Sequence, residues 1–437
     1  MNFNTSDFTL TPSADDSNLV LCDRIARRIA DSPQQRITFA EYMELVLYHP
    51  EQGYYATNVV NIGTQGDFFT SPHLGADFGE LLAEQFVQMW EILGKPTSFS
   101  LIEMGAGQGI LALDILKYLQ QHYPDFFASL DYIIVEKSPA LREEQRQRLQ
   151  EFSLRWCNLE EIPSNSITGC FFSNELVDAL PVHQFIIEEG QLQEIYVTTL
   201  IEPGEQEDKG DKEASYLPPT TYHLPPTTYH LPSSPSNLAP FMEVVGEPST
   251  PRLGEYFDLV TVELPSKAYP DGYRSEINLA ALDWLGMVAE RLQHGYLLTI
   301  DYGYPASRYY SPRRSQGTLQ CYYQHHRHDN PYINIGRQDI TAHVDFTALE
   351  RWGDRCGLQK VGFIQQGLFL MALGIGDRIA GLSTTNQSIQ QVLLRRDTLH
   401  QLIDPIGLGG FGVLVQSKGL TEAETAQPLK GLNLPSI

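Results

Sequence analysis

Residues 101–116 read LIEMGAGQGILALDIL, an apolar run that enters a turn with three glycines and leaves it with apolar residues at helical spacing. A strand passing straight into a helix through such a turn is the unit of an α/β layer. The same turn lets backbone lie closely against a ligand, because no Cβ intervenes. The question it raises is which ligand.

The alternation continues along the chain. FSLIEM (99–104), DYIIVE (131–136), GCFFS (169–173), YLLTIDYG (296–303), LQKVGFIQ (358–365) and FGVLVQSKG (411–419) read as strands. Helical spacing follows the first, with Leu111, Ile115, Leu116 and Leu119 on one face. Ser138 and Pro139 open a second helix, and 277–295 forms a third that is expected to end at Gly295. FTALERWGDRCG (346–357) forms another. A hairpin is expected over 183–197, turning at Glu189-Gly190. This rhythm predicts a doubly wound, mostly parallel, Rossmann-like sheet. The front of the chain reads differently: helices at 19–31, at 38–49 behind a Thr38/Glu41 capping pattern, and at 74–93, with no strong strand signal. LPPTTYH occurs twice in tandem at 217–230, inside a Pro-rich stretch expected to be a surface insertion.

The dinucleotide fingerprint G-x-G-x-x-G is not met: Gly105, Gly107 and Gly109 give G-x-G-x-G, and Ile110 stands at the third required position. Glu103 precedes the turn by two residues, where a carboxylate opposes a phosphate and suits a cation. S-adenosylmethionine carries an ammonium and a sulfonium and no phosphate, so it fits this turn better than a dinucleotide. Glu136, at the end of the next strand, is placed to accept both hydroxyls of a ribose, which supports adenosine without choosing between cofactors. Beyond the third of these strands, Asn174, Glu175 and Asp178 lie where the ligand crevice of an open α/β sheet opens. They fit catalysis on a cationic acceptor; a capped turn beginning at Asn174 is the plainer alternative, and the two are compatible. Asp301, at the end of another strand, faces the crevice or caps a turn. His343 reads as a hydrogen-bonded structural residue, and the tyrosines of DYGYPASRYY as pocket walls or ordinary packing.

A formal net charge of −24 argues against a nucleic-acid surface and against an anionic membrane. Five scattered cysteines without a C-x-x-C pair fit a reducing compartment and no structural zinc. His325, His326 and His328 sit in a polar loop and are not expected to bind metal. No apolar stretch reaches membrane-spanning length, and the first residues lack targeting character, so a cytoplasmic protein is expected.

Several stretches, in order, resemble the MidA-like S-adenosylmethionine-dependent methyltransferases: GDFFTSPHLGADFGELLAEQ, LIEMGAGQGILALDIL, VEKSPALREEQRQRL, FSNELVDALPVHQF, LLTIDYG and GRQDITAHVDFTALERWG. NELVDALPVHQF is the most specific of them. The resemblance implies a class I methyltransferase fold with a helical addition. In this chain the helical N-terminal region is expected over 19–95 and the core over 96–420, with insertions after the third and fourth core strands (203–250 and 303–345) and a flexible tail over 421–437; the tandem-repeat insertion is not a feature of the family. The resemblance implies donor contacts from Gly105, Gly107, Gly109 and Glu136, with Gly66, Asp67 and Thr70 on a loop closing over the donor; Glu103 joins them on the charge argument above. Asn174, Glu175 and Asp178 would line the acceptor side. It further implies a protein substrate, an arginine on the large hydrophilic-arm subunit of a complex I type dehydrogenase, with a second copy of the chain as another candidate partner. Relatives commonly carry G-P-G-x-G-T, where this chain has Ala106 and Ile110 at the Pro and Thr positions. Two other readings remain: a donor-binding assembly factor without essential turnover, and methylation of a different amine.

Overall fold

In the computed structural model, residues 15–57, 70–199, 241–324, 326–382 and 388–433 are described. The glycine turn and the apolar runs around it build one seven-stranded sheet. Its strands are β1 (Phe99–Met104), β2 (Leu130–Val135), β3 (Arg155–Cys157), β4 (Ile167–Asn174), β5 (Leu292–Asp301), β6 (Gln359–Gln365) and β7 (Gly412–Lys418). They lie in the order β6-β7-β5-β4-β1-β2-β3. Pairs β1/β2, β1/β4, β2/β3 and β4/β5 are parallel, and β7 is antiparallel to both neighbours, so β7 alone runs against the others. The chain winds one way from β1 to β2 and the other way to β4, which makes the carboxyl ends of β1 and β4 the topological switch point.

Successive side chains of a strand serve opposite faces. Leu101, Phe172 and Leu298 join one core with the helices Asp77–Ile92 and Ile110–His122, while Ile102, Phe171 and Leu297 join another with Leu279–Arg291 and Phe346–Arg355. The expected faces hold: Phe78, Leu82, Phe86 and Met89, and Leu111, Ile115, Leu116 and Leu119, are all buried. The sheet is therefore doubly wound, as the strand–helix alternation predicts.

Four readings change. The short β3 carries no apolar run, so it was not legible; the strand counted third from the sequence is β4, and the two excursions follow β4 and β5. The helix expected to reach Gly295 stops at Arg291. Gly295 lies inside β5, where a Cβ would stand 1.9 Å from the carbonyl oxygen of Gly169, so glycine permits close approach of β4 rather than ending a helix. The front segment does hold a strand, Ile37–Thr38, paired with Val197 and Tyr196. The stretch 421–433, expected to be a flexible tail, packs: Leu429 is buried, and the side chains of Gln88 and Gln85 accept from the amides of Lys430 and Gly431.

The hairpin forms as expected, His183–Glu188 and Gln191–Thr199, with positive φ at Glu189 and Gly190. It belongs to a second, antiparallel sheet with Ile37–Thr38, Phe241–Gly246 and Arg274–Ile277. The helices Leu19–Ala30 and Phe39–Tyr48 share a core with it. The Thr38 side chain accepts from the Glu41 amide, a cap worth about 0.5–2 kcal/mol. A three-stranded sheet, His326–His328, Gln320–Tyr323 and Asp339–Thr341, comes from the excursion after β5. The LPPTTYH repeats lie outside the described residues.

Candidate active site

Gly105, Gly107 and Gly109 all have positive φ, at 70°, 50° and 76°. A Cβ on Gly105 would meet the Leu176 side chain at 2.7 Å, whereas one on Gly107 would point into open space. Gly105 is thus needed for packing against the turn after β4, and Gly107 leaves a bare backbone face for a ligand. Gly109 does not line the pocket: it starts the helix Ile110–His122 and packs against Gln145 and Leu149. The Gln145 side chain, unread from the sequence, donates to the Gly107 carbonyl at 2.7 Å and to Glu136 Oε2 at 3.2 Å, and accepts from the Trp156 indole at 3.0 Å. It locks the glycine turn to the acid at the end of β2.

Glu136 is buried and takes a second bond from the Ser138 amide at 2.9 Å. Burial raises its pKa, and these donors oppose the shift. Glu103 is also buried, accepts from the Tyr132 hydroxyl at 2.6 Å and is pushed up to about 7 by burial. Both carboxylates border the same pocket beside Gly105 and Gly107. A buried acid held near neutrality by desolvation is a standing attractor for an ammonium, which supplies the missing counter-charge.

The turn after β4 is held by Asp301 at the end of β5. Its Oδ2 accepts from the amides of Val177 at 2.9 Å and Asp178 at 3.3 Å, and its Oδ1 from the Tyr302 amide. Asp301 therefore acts as the turn acid, fully buried, and is absent from the linings of both cavities described below. Glu175 sits at φ 54°, an uncommon conformation for a residue with a side chain, and its amide donates to the Ile300 carbonyl at 2.9 Å. Such strain costs roughly 1–3 kcal/mol and persists where the surroundings enforce it. Asn174 Nδ2 donates to Glu175 Oε1 at 3.0 Å. Burial, then the nearby Asp178, push Glu175 up to about 8. Asp178 is raised by burial and by Asp301 and Asp339, and its Oδ1 is buried with no hydrogen-bond partner among the described residues.

Two cavities meet here. One follows the glycine turn and is bounded by Thr70, Glu103, Gly107, Glu136 and Asn174; it holds about 140 Å³. The second, about 800 Å³, is lined by Asp178, Asp339, Tyr302, Tyr304, His343 and others. Tyr55 and Glu175 border both. The first is smaller than the roughly 300–1,000 Å³ of ordinary ligand sites, so a nucleoside needs more room than it offers as it stands. Of the residues singled out by sequence, Gly105, Gly107, Glu103, Glu136, Thr70, Asn174 and Glu175 border the first cavity, and Asp178 joins Glu175 on the second. Gly66 and Asp67 lie outside the described residues. Sequence reading missed Tyr48, Tyr55, Gln145 and Asp339; the aromatic-rich YHPEQGYYA was the one local signal for the first two.

His343 is hydrogen-bonded to the Thr318 backbone, as expected of a structural residue, and it also borders the large cavity. It stacks on Tyr304 with ring centroids 5.0 Å apart and leaves Nδ1 buried without a partner among the described residues. Burial pulls its pKa down to about 4, so the ring is neutral at pH 7. The tyrosines divide: Tyr302 and Tyr304 line the cavity, while Tyr309 and Tyr310 pack in a core. His325 lies outside the described residues, and no cluster of His, Cys, Asp and Glu suited to a metal occurs among the described ones. No described helix is long and apolar enough to cross a membrane.

The pocket beside the turn fits S-adenosylmethionine on its own features: the bare face at Gly107, Glu103 for a cation, Glu136 for a diol, and the buried Asn174 Oδ1 without a hydrogen-bond partner among the described residues. Comparison with known proteins agrees. The mitochondrial protein arginine methyltransferase NDUFAF7 homolog of Drosophila melanogaster is 29% identical over 85% of this chain and 79% of its own. The human protein arginine methyltransferase NDUFAF7, also mitochondrial, is 26% identical over 82% and 75%. A COG1565 superfamily protein from Burkholderia thailandensis, solved with S-adenosyl-homocysteine bound, superposes with a TM-score of 0.76 at 26% identity, covering 98% of this chain and 97% of that one. Residues 81–364 match the profile of an S-adenosyl-L-methionine-dependent methyltransferase family. The chain belongs to this MidA-like family, and S-adenosylmethionine is its methyl donor.

Proposed function

We propose that the protein methylates an arginine side chain of a protein substrate, and that this substrate is the large hydrophilic-arm subunit of a complex I type dehydrogenase, whose assembly the modification supports. The observation that carries the arginine reading is the placement of Glu175 on the boundary between the donor pocket and an 800 Å³ cavity that also holds Asp178 and Asp339. The relatives named as protein arginine methyltransferases support it, and the family resemblance supports the choice of subunit.

Bound beside Gly107, S-adenosylmethionine supplies an electrophilic methyl group on a sulfonium. The chain's own part is to present a nucleophilic nitrogen in line with it, which is catalysis by position. A guanidinium stays protonated in water, so it arrives as a cation. Glu175 and Asp178 can hold it through paired charge-assisted bonds. Without a cation, burial and mutual repulsion keep these acids largely protonated; the incoming guanidinium provides the counter-charge that favours ionisation. As the methylated nitrogen forms its new bond, one N–H proton must leave, and Glu175, with its affinity for a proton raised by burial, is suited to receive it. Asn174 fixes the Glu175 carboxylate, and Asp301 fixes the turn that carries both.

Mass spectrometry of the partner subunit from wild-type and deletion strains tests this reading. A methylated arginine present in the first and absent in the second is expected. An unmethylated subunit in both strains removes the proposed substrate.

A further inference from the structure

The large cavity is lined by cations as well as by acids. Arg308 and Arg327 also line it, and neither forms an ion pair among the described residues, in a chain with 54 acidic and 30 basic side chains. The Arg308 guanidinium lies 4.1 Å from the Tyr304 ring centroid and that of Arg314 4.4 Å from it. Both are exposed to the cavity and carry no carboxylate partner among the described residues, so their charge is open to an anion of a bound substrate.

The three-stranded sheet sets the spacing. Tyr322 is the register partner of Arg327 on one side and of Asp339 on the other. Directly paired residues of an antiparallel sheet share a face, and all three line the cavity. Each step across the pairs is about 5 Å between Cα atoms, so the Cα atoms of Arg327 and Asp339 stand about 10 Å apart across the sheet. An extended peptide advances about 3.3 Å per residue, so the same distance spans about three residues.

We propose that the acceptor cavity selects an arginine with an aspartate or glutamate side chain within about three residues of it in the same extended segment, the arginine meeting Glu175, Asp178 and Asp339 and the carboxylate meeting Arg327 and Arg308. The proposal rests on the arginine reading given above and adds the sequence context of the target. Arg327 and Arg308 are specificity determinants here. They act through substrate affinity, and their removal raises KM more than it lowers kcat.

The test uses the full chain, S-adenosylmethionine and synthetic peptides with one arginine, in which a single glutamate is moved over the four positions on each side. Glutamate about three residues away is expected to raise kcat/KM at least tenfold over the glutamine peptide, mainly through KM. The double variant Arg308→Glu with Arg327→Glu is expected to lose that preference and to favour a lysine at the same position, while S-adenosylhomocysteine still binds and shows the fold to be intact. Equal rates for glutamate and glutamine peptides, or a double variant that keeps the wild-type preference, overturn the proposal and leave arginine methylation standing. A phosphoserine peptide favoured tenfold over the glutamate peptide overturns the choice of carboxylate. Failure of every arginine peptide overturns the arginine reading and the context rule together.

Discussion

The hydroxyl of Tyr55 donates to Asp339 Oδ1 across 2.9 Å, tying the N-terminal segment to the strand that carries one of the acceptor cavity's acids. The Tyr55 ring also stacks on Tyr48 at 5.3 Å, and the Tyr48 hydroxyl donates to the Ala179 carbonyl at 2.9 Å, just past the turn after β4. Three segments distant in sequence are joined where the two cavities meet. Tyr55→Phe keeps the stack and removes the hydrogen bond to a carboxylate. It is expected to lower unfolding free energy by about 1.5–3 kcal/mol in urea denaturation. Tyr55→Leu, which also removes the stack, should lose more.

Glu175→Gln preserves shape and removes the negative charge. Methyl transfer is expected to fall at least about 100-fold, the usual lower bound for losing a positioned proton acceptor. Calorimetry should find S-adenosylhomocysteine binding retained, because the contacts proposed for the donor are on the glycine turn and Glu136, which line the smaller cavity. Loss of donor binding would instead make Glu175 a structural support.

The raised pKa of Glu175 fixes the sign of two pH effects. In the free enzyme its carboxyl ionises at about 8, and the cationic acceptor prefers the ionised form, so kcat/KM should rise with pH and level off above about 8. For stability the direction is opposite. The unfolded chain ionises this group near its ordinary value of 4.5, while the folded chain holds the proton up to about 8. The folded state binds more protons across that window, so stability falls as pH rises through it. Thermal melts of the ligand-free protein at pH 8 should therefore show Glu175→Gln as stable as wild type or more so. A variant melting lower at pH 8 than wild type would contradict the shift.

Glu136→Gln tests the donor side separately. If the carboxylate accepts both ribose hydroxyls, losing its charge weakens charge-assisted bonds worth about 1.5–3 kcal/mol, or about 10–100-fold in the dissociation constant of S-adenosylhomocysteine. An unchanged constant would mean that Glu136 serves only to brace Ser138 and Gln145.

The parts of the site that lie within one strand–turn unit were legible in the sequence, because their geometry is local. Glu103, Gly105 and Gly107 belong to one turn, and Asn174, Glu175 and Asp178 to another, and a parallel sheet brings the ends of β1 and β4 side by side. The spacing of the glycines did not separate the bare face at Gly107 from Gly109, which packs against Gln145 and Leu149 and does not border the cavity. Gln145, Tyr55 and Asp339 were missed since each reaches the site through tertiary packing. Gln145 lies on a polar helix face whose pattern is that of a solvated surface, yet it is fully buried. Gly295 and β3 were misread for the same reason: close approach to Gly169 and pairing with β2 are properties of neighbours, not of the local sequence.

A crystal structure with S-adenosylhomocysteine bound tests the central claim, that donor and acceptor meet at Glu175. The account predicts the adenosine hydroxyls on Glu136, the amino-acid end against Gly107 and Glu103, and the sulfur facing the opening bordered by Glu175 and Tyr55. A ligand seated with its sulfur turned away from Glu175, with no open path into the cavity of Asp178 and Asp339, would contradict it.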